Sequence, residues 1–328
     1  MTTFDAYTRH QVYVEGYKNG QAQDAETLYE EITAAIIISL NKLALNNMGE
    51  LTKKALLALT RDVTARMKKL FGKQIELTTE AIKAFMNVDL RIMAALTQDA
   101  SGKPFPVNTM NRDTLWSRIF NDPMGATGVT PGDAFLEAQT AAIAAVVAAI
   151  RAAWADNVEL AAFIRSLVGT RALLFKDGLL ARQRRRFATA IETGIQHVTT
   201  GVQFQLGRLT ASHYVWCSIL DSRTTEICRS RNGVSYEYGS GPRPPAHWNC
   251  RSFTIPATIV NVEEIPTFYT WIKRQPSGVQ DDVLGPTRGR ELRDGRIKAD
   301  QLPGFDRARP LTVSEYGDKL NKILAEVA

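Results

Sequence analysis

The chain has 328 residues, enough for one large domain or two modest ones, and its content of 45% hydrophobic and 23% charged residues is usual for a globular protein. The 40 basic residues exceed the 34 acidic ones and give a net charge of +6, which permits contact with DNA or an acidic partner without requiring it. No uninterrupted apolar run is long enough to cross a bilayer, and the N-terminus lacks the pattern of a secretory signal. We therefore expect a protein made in a cytoplasm, with reduced cysteines and no membrane partner.

The first 98 residues predict a helical region. Apolar residues recur at helical spacing in three stretches, which lie at 28–43, 56–70 and 82–96. Gly72 is expected to end the second helix. Three such helices can form a bundle, which is usually scaffold, and the alternative is a docking element for a partner.

Residues 99–130 predict a loop-rich linker, because glycine, proline, asparagine and aspartate are frequent there. One short helix is expected within it, around Trp116. Thr130 and Pro131 then predict the start of a helix, since threonine caps free amides and proline suits the first helical position.

Two more helices are predicted, over residues 158–168 and 179–209. The second contains Gly194 and Gly201 on one face. Each glycine weakens a helix interior by about 1 kcal/mol relative to alanine. The pair therefore either admits a close neighbour or marks a break in the helix.

Residues rich in β-formers and turn signals follow. Strands are predicted at 214–220, 234–236 and 252–255, and Asn232-Gly233 is a strong turn signal. The sequence therefore predicts a mainly α fold with a small α+β unit at 210–258, within a module of residues 131–258. A C-terminal helical extension is expected over 259–328, with short helices at 267–274 and 314–327 joined by loops.

The α+β unit contains all three cysteines. His247 precedes Cys250 by a spacing at which a short turn can direct an imidazole nitrogen and a thiolate to one metal ion. Cys217 and Cys228 could complete a tetrahedral zinc site that stabilises a β unit with little core of its own. Because Cys217 and Cys228 are not a close pair, the alternative is that the cysteines are small buried apolar residues and that His247 hydrogen-bonds in a tight turn.

A cysteine hydrolase is a third interpretation of the same residues. Cys250 and His247 could form a nucleophile and base, but the sequence supplies no orienting third group and no oxyanion hole. Motifs of serine hydrolases and nucleotide-binding proteins are also missing from the sequence. An enzyme is therefore not expected.

The densest basic cluster lies in the predicted helix at 179–209. It consists of Arg182, Arg184, Arg185 and Arg186. Such a cluster is usually a solvated helix face, and the alternative is a contact with DNA phosphates, for which only Phe187 is at hand as an aromatic neighbour.

The cysteine-containing segment resembles the signature of the phage Mu F-like head morphogenesis family of minor head proteins. That signature has an aromatic-led strand, Asp-x-Arg-Thr, cysteines, Asn/Asp-Gly and Pro-x-His-x-x-Cys-Arg. The matching residues are Trp216, Asp221, Arg223, Thr224, Cys228, Asn232, Gly233, Pro245, His247, Cys250 and Arg251. A second stretch matches the continuation of the family at Trp271, Gln275, Pro276, Gln280, Leu284, Gly285, Arg288 and Gly295.

This resemblance covers roughly residues 170–315 and has departures. Many members carry cysteines where this chain has Thr225 and Ser252, so two candidate metal ligands are missing, and Cys217 is the residue that could compensate. The resemblance implies a structural virion protein, made in the host cytoplasm and placed in a few copies inside the head near the portal vertex. It implies the portal protein or the major capsid protein as partners, with packaged DNA as a non-specific contact. The alternatives are a DNA-binding or ejected virion protein, or a cysteine hydrolase around Cys250.

Overall fold

A computed structural model describes residues 1–102, 110–221, 223–261, 265–298, 301 and 309–327. Over this part the chain forms eleven α-helices and one three-stranded antiparallel sheet, which confirms the predicted mainly α fold with a small α+β unit. The helices are α1 (Thr3–Asn41), α2 (Lys53–Ser101), α3 (Arg112–Phe120), α4 (Pro131–Ala155), α5 (Leu160–Val168), α6 (Leu179–Gly207), α7 (Glu226–Arg231), α8 (Phe268–Arg274), α9 (Ser277–Leu284), α10 (Pro286–Arg293) and α11 (Val313–Val327). The strands are β1 (His213–Cys217), β2 (Ser235–Glu237) and β3 (Phe253–Pro256).

Two long helices replace the three that the N-terminal sequence predicts. α1 begins at Thr3, and α2 continues without a break for 49 residues. The prediction that Gly72 ends a helix is wrong, because the glycine lies exposed within α2 with open space where a side chain would project. One solvated glycine costs about 1 kcal/mol, which a helix of this length tolerates.

The chain divides into two compact units, each assembled from separate segments. Unit 1 comprises Met1–Gln21, Ala81–Pro131 and Glu192–Ala328, and unit 2 comprises Ala22–Glu80 and Gly132–Ile191. Helices α1, α2 and α6 contribute residues to both units. The unit boundary after Pro131 lies within one residue of the boundary expected at residue 130, whereas the boundaries expected at residues 98 and 258 fall inside unit 1.

Unit 2 has an aromatic core. Phe71 meets Tyr29 and Phe187 edge-to-face, with ring centroids 5.8 and 5.3 Å apart, and Phe135 lies 6.3 Å from Phe187. Edge-to-face contacts of this kind suit the ring quadrupoles and contribute about 0.5–1.5 kcal/mol beyond area burial. They connect residues of α1, α2, α4 and α6 within the unit.

Helix α4 begins at Pro131, as predicted. By length and composition it is the one helix of the described residues that could cross a membrane, with a mean hydropathy of 1.5 over 18 residues, of which 33% are buried. Core helices of globular proteins meet the same criterion. In unit 2, α4 turns one stripe inward, comprising Phe135, Ala138, Ala142, Val146 and Ile150.

Unit 1 contains a buried polar network that joins four helices. Asp89 on α2 accepts hydrogen bonds from Tyr316 on α11 and Thr199 on α6, each at 2.6 Å, and lies 2.5 Å from His10 Nε2 on α1. The four side chains are fully buried. Because a buried charge is stable only when it is paired and hydrogen-bonded, this network specifies how the four helices meet.

Helix α6 runs without a break past both glycines. At Gly201 a side chain would come within 2.6 Å of Ile119 Cγ2, so this glycine admits the short helix α3. Helix α3 is the helix predicted around Trp116, and the amide of Thr114 is capped by the side chain of Asn111. The residues before it, 103–109, belong to the predicted linker and lie outside the described residues.

The sheet has the order β2-β1-β3, with Tyr214 opposite Tyr236 and Cys217 opposite Phe253. Gly233 has φ +77°, which confirms the predicted Asn232-Gly233 turn and shows why glycine is needed there. In the C-terminal region, α8 and α11 confirm the two predicted helices. The loops expected between them were wrong in part, because α9 and α10 lie there, separated at Gly285 with φ +80°.

Candidate metal centre

Cys228, His247 and Cys250 direct their ligand atoms to one point in unit 1. Cys228 Sγ lies 3.1 Å from His247 Nε2 and 3.8 Å from Cys250 Sγ, and all three ligand atoms lie within 4.8 Å of one another. Cys228 comes from α7, while His247 and Cys250 come from the loop between β2 and β3. This group can hold a metal ion.

The ring of His247 is oriented for metal binding. Its Nδ1 lies 2.8 Å from the carbonyl oxygen of Trp248, an acceptor that only a protonated nitrogen can satisfy. In the neutral ring, the remaining nitrogen, Nε2, is then the unprotonated one, and it faces the sulfur of Cys228. Metal-binding histidines are usually fixed in this way, by a hydrogen bond from the other ring nitrogen.

Cys217 does not join the group, so the expectation that it supplies a fourth ligand was wrong. Trp216 packs against Cys228 and Cys250 in a small buried cluster that also includes Ala246. Neighbouring residues of a strand point to opposite faces of a sheet, so Cys217 is turned away from that cluster. Its sulfur instead lies 3.9 Å from the carbonyl oxygen of Val215, and burial raises the pKa of its thiol.

The two thiols of the group differ in their protonation. The hydrogen bond with Cys228 lowers the pKa of Cys250 well below its usual value, and contacts with His247 and with the backbone at Ser252 and Ala246 act in the same direction against burial. The same hydrogen bond, followed by burial, raises the pKa of Cys228. The hydrogen bond with Cys250 raises the pKa of His247. Cys250 is therefore the more acidic of the two thiols, and a bound cation would favour loss of the proton from Cys228 as well.

Two hydroxyl groups lie beside the metal-binding group. Thr225 Oγ1 lies 2.9 Å from His247 Nε2, and Ser252 Oγ lies 2.9 Å from Ser218 Oγ, which itself donates to the carbonyl oxygen of Cys228. A cavity of about 20 Å³ adjoins the group and is lined by both Thr225 and Ser252. This volume accommodates one water molecule. The fourth coordination position can therefore be filled by the Thr225 hydroxyl or by water.

A buried ion pair fixes the loop that carries Cys250. Arg251 donates from both of its terminal nitrogens to the two carboxylate oxygens of Asp221, each at 2.6 Å. Burial by itself raises the pKa of Asp221, but the hydrogen bonds and charge of Arg251, with donors from the Arg223 amide and the Thr224 hydroxyl, outweigh it and leave the pKa lowered. The bidentate geometry sets both distance and orientation, which a lysine could not do.

Two helices of unit 1 hold the same loop through its backbone. Gln196 on α6 donates to the carbonyl oxygen of Ser252 at 2.8 Å, and Thr193 accepts from the amide of Asn249 at 3.0 Å. Lys18 on α1 reaches the carbonyl oxygen of Cys250 at 3.5 Å and pairs with Glu15 at 2.7 Å. These buried polar residues support the metal-binding loop from outside the α+β unit.

No family model, curated protein or solved structure matches the chain at a significant level.

The other residues of the first family stretch have structural positions around the centre. Gly233 N donates to the carbonyl oxygen of Trp216 at 2.8 Å, and the guanidinium of Arg231 stacks over the Trp216 ring at 5.1 Å. Pro245 is buried and follows Pro244 through a cis peptide bond. Its carbonyl oxygen lies 2.0 Å from the position that a Cβ at Gly125 would occupy, so that close approach requires glycine.

The residues of the second family stretch lie outside the metal group. Trp271 is buried on α8, and Gln275 accepts a hydrogen bond from Arg9 of α1 at 2.9 Å. Gly285 separates α9 from α10, and Arg288 donates to the carbonyl oxygen of Gln301 at 3.3 Å. The contact between Gln275 and Arg9 ties the end of α8 to the start of the chain within unit 1.

The arginine cluster belongs to unit 2. Arg182, Arg185 and Arg186 are exposed at the start of α6, and Arg184 is half-buried in an ion pair with Glu26. The cluster and the metal-binding loop therefore lie in different parts of the sequence and belong to different units.

Sequence reasoning missed the polar residues that support the site and the network around Asp89. Lys18, Gln196 and Asp89 are buried, although residues of these types usually face solvent. A usable signal existed for α1, where Gln11, Glu15 and Lys18 recur at helical spacing. That spacing is also what a solvated face shows, so the signal does not distinguish a buried polar stripe from an exposed one.

Proposed function

We propose that the chain is a bacteriophage minor head protein of the Mu F-like family, whose α+β unit is stabilised by a zinc ion on Cys228, His247 and Cys250. The observation that carries the proposal is the meeting of the signature residues. Trp216 packs on the two cysteines, and Asp221 pairs with Arg251 beside them. Residues that are scattered along the sequence but contact one another in space are expected of a signature that encodes one structural unit.

The geometry of the group supports zinc as the metal. Two thiolates on a tetrahedral zinc ion, each about 2.3 Å from the metal, lie about 3.8 Å apart. The two sulfur atoms here are 3.8 Å apart, and the free nitrogen of His247 faces them. Thiolates and imidazole favour zinc over the hard cations magnesium and calcium, which prefer oxygen ligands.

A structural role for this ion is favoured over a catalytic one. Cys250 is fully buried, and the cavity of about 20 Å³ beside the group has room for a water molecule but not for a substrate. The sheet that the ion would stabilise is small, since β2 has three residues and β3 has four. A metal that links α7 to the loop after β2 would supply stability that such a sheet cannot gain from its own core.

The proposal places the protein in the virion, inside the head near the portal vertex, with the portal protein or the major capsid protein as its partner. Truncation of residues 1–98 is a poor test of docking, because these residues supply His10 and Asp89 to the core of unit 1. Point substitutions that leave the core intact are required instead.

Metal content tests the zinc ion. Protein purified from zinc-replete cells is expected to contain one zinc per chain by elemental mass spectrometry. Cys228→Ala should lose the metal, whereas Cys217→Ala, the matched control, should retain it. Circular dichroism and melting temperature would establish that each variant is folded, and titration of metal-free protein with cobalt would reveal thiolate-to-metal absorption independently of stability. Zinc-free wild-type protein that also fails to bind cobalt would refute the metal site.

Particle composition tests the virion role. In the phage that encodes the chain, we expect low, fixed copies of the protein in purified heads, and we expect them to remain after DNA release. Complete absence from particles would refute the structural role, and loss together with the DNA would identify an ejected factor instead. A phage carrying Cys228→Ala should incorporate less of the protein than one carrying Cys217→Ala.

A further inference from the structure

An exposed loop of unit 2 presents three consecutive large apolar side chains to solvent. Every residue from 170 to 177 is exposed, and we call this segment the apolar loop. At its tip the exposed fractions are 58% for Leu173, 70% for Leu174 and 51% for Phe175. No other run of three large apolar residues is exposed in the described part of the chain. Apolar groups held in water in this way usually mark an interaction site.

The apolar loop has a defined conformation that is held by contacts between its two ends. Its ends meet at Gly169 and Gly178, where a side chain on either residue would come within 3.0 Å of the backbone of the other. The carboxylate of Asp177 accepts hydrogen bonds from the amide and the hydroxyl of Thr170, at 2.8 and 3.0 Å, and closes the loop. Compact loops whose ends are close are frequently functional.

The backbone at the tip is strained but internally hydrogen-bonded. Leu174 and Phe175 have φ of +52° and +58°, a conformation that bulky residues rarely adopt. The amides of residues 173–176 all donate to carbonyl oxygens of the loop itself, at 2.8 to 3.2 Å. A backbone whose amides are paired can enter an apolar medium without the cost of stripping water from free donors.

The net charge of the chain is concentrated in the sequence segment that contains this loop. Residues 165–186 contain six arginines, one lysine and a single acidic residue, so this segment carries the whole net charge of +6 and the rest of the chain is balanced. The one acid, Asp177, is occupied in closing the loop. The exposed cations are Arg165, Arg171, Lys176, Arg182, Arg185 and Arg186.

We propose that the apolar loop inserts into the surface of an anionic lipid bilayer, with the surrounding cations held at the headgroups. An apolar tip that is flanked along the chain by exposed cations fits such a surface, because the tip enters the acyl boundary while the cations contact phosphate groups. This mode needs no membrane-spanning segment. Duplex DNA would also attract the cations, but it offers no apolar medium for three aliphatic and aromatic side chains, so the tip favours the bilayer.

Vesicle flotation with the full-length protein tests this proposal. We expect the protein to float with vesicles of equal parts phosphatidylglycerol and phosphatidylethanolamine and not with vesicles of phosphatidylcholine alone. Leu174→Ser should lower the partition coefficient about tenfold, because one inserted leucine is lost. Lys176→Gln should lower it about fivefold on the anionic vesicles, since each cation near such a surface contributes that factor.

Matched variants exclude general effects of composition. Leu77→Ser removes a leucine of unit 2 that is 54% exposed on α2, and Lys69→Gln removes an exposed lysine of the same helix. Both should partition as wild type does. Phe175→Ser provides a second test at the tip if Leu174→Ser fails to fold, which the melting temperature would show.

Three results would overturn the proposal. The first is the absence of flotation with anionic vesicles. The second is flotation that neither tip variant weakens, since the contact would then be electrostatic alone. If the protein instead bound duplex DNA and Arg182→Gln weakened that binding while the tip variants did not, the cations would serve nucleic acid and the membrane proposal would be rejected.

Discussion

His197 provides a sharp test of the core of unit 1. It lies on α6, and its Nε2 is 2.8 Å from the carbonyl oxygen of Ile119, so Nε2 carries the proton of a neutral ring. Its Nδ1 is buried with no hydrogen-bond partner among the described residues. Burial, followed by the charge of Arg243, lowers the pKa of His197 to about 4, against the opposing effects of Ile119 and Asp122. The folded protein therefore resists protonation of this ring.

The pH dependence follows from the two pKa values. An unfolded histidine has a pKa of about 6.5, so between that pH and about 4 the unfolded chain binds a proton that the folded chain does not. Stability is consequently lost as the pH falls through this window. The free energy of unfolding should fall by about 2 kcal/mol between pH 7 and pH 5, and by about 3 kcal/mol by pH 4.

Urea unfolding of wild type and His197→Gln at pH 7 and pH 5 measures this contribution. Glutamine can still donate to the Ile119 carbonyl oxygen but does not titrate, so the variant should lose about 2 kcal/mol less than wild type over this interval. His213→Gln, at an exposed histidine of the same unit, is the control and should follow wild type. Equal losses in wild type and His197→Gln would refute the reasoning, because other groups would then cause the pH dependence.

Three further predictions concern stability. Asp89→Asn should lower the free energy of unfolding by about 3–5 kcal/mol in urea, because it leaves the buried network without its charge. The control Asp113→Asn, at a residue 83% exposed, should cost less than about 1 kcal/mol. Similar costs for the two variants would contradict the role of the network. Gly72→Ala should raise the free energy of unfolding by about 0.5–1 kcal/mol, whereas Gly201→Ala should lower it because the new Cβ would meet Ile119 at 2.6 Å. A stabilising result at both positions would show that Ile119 moves aside. Removal of metal with a chelator should lower the melting temperature of zinc-loaded wild type, and an unchanged melting temperature would argue against a structural ion.

Periodicity and end signals predicted most helices but not their extents. Pro131 and the spacing of apolar residues were sufficient to predict α4 and its first residue, since both signals act locally. The first part of α1 was missed because Arg9, His10 and Gln11 are buried there, and a helix that buries polar residues has no clear apolar stripe. Their partners lie on α2, α6 and α11 and at the residue that follows α8, and sequence spacing contains no information about them.

Three of the four metal ligands that the sequence predicted lie together in the candidate site. His247 and Cys250 are close in sequence, so a turn is enough to bring them together. Cys228 lies on α7, and the position of that helix brings its sulfur to the other two residues. The prediction of Cys217 as a ligand was wrong because Cys217 directly follows Trp216 in β1, and only one of two neighbours on a strand can face the group. The alternation itself can be read from sequence, but which of the two faces the metal depends on tertiary packing.

The metal group and the helices of unit 1 are coupled through the loop at residues 249–252. Gln196 and Lys18 direct their donors at carbonyl oxygens of this loop, and both side chains are buried. If the loop moved away, each buried donor would lose one of its acceptors, while Lys18 would keep Glu15 and Gln196 would keep Gln11. Each lost hydrogen bond would cost about 0.5–1.5 kcal/mol. Loss of the ion should therefore increase amide hydrogen exchange at the start of α1 as well as in the loop, whereas an ion that stabilised the sheet alone would leave α1 protected.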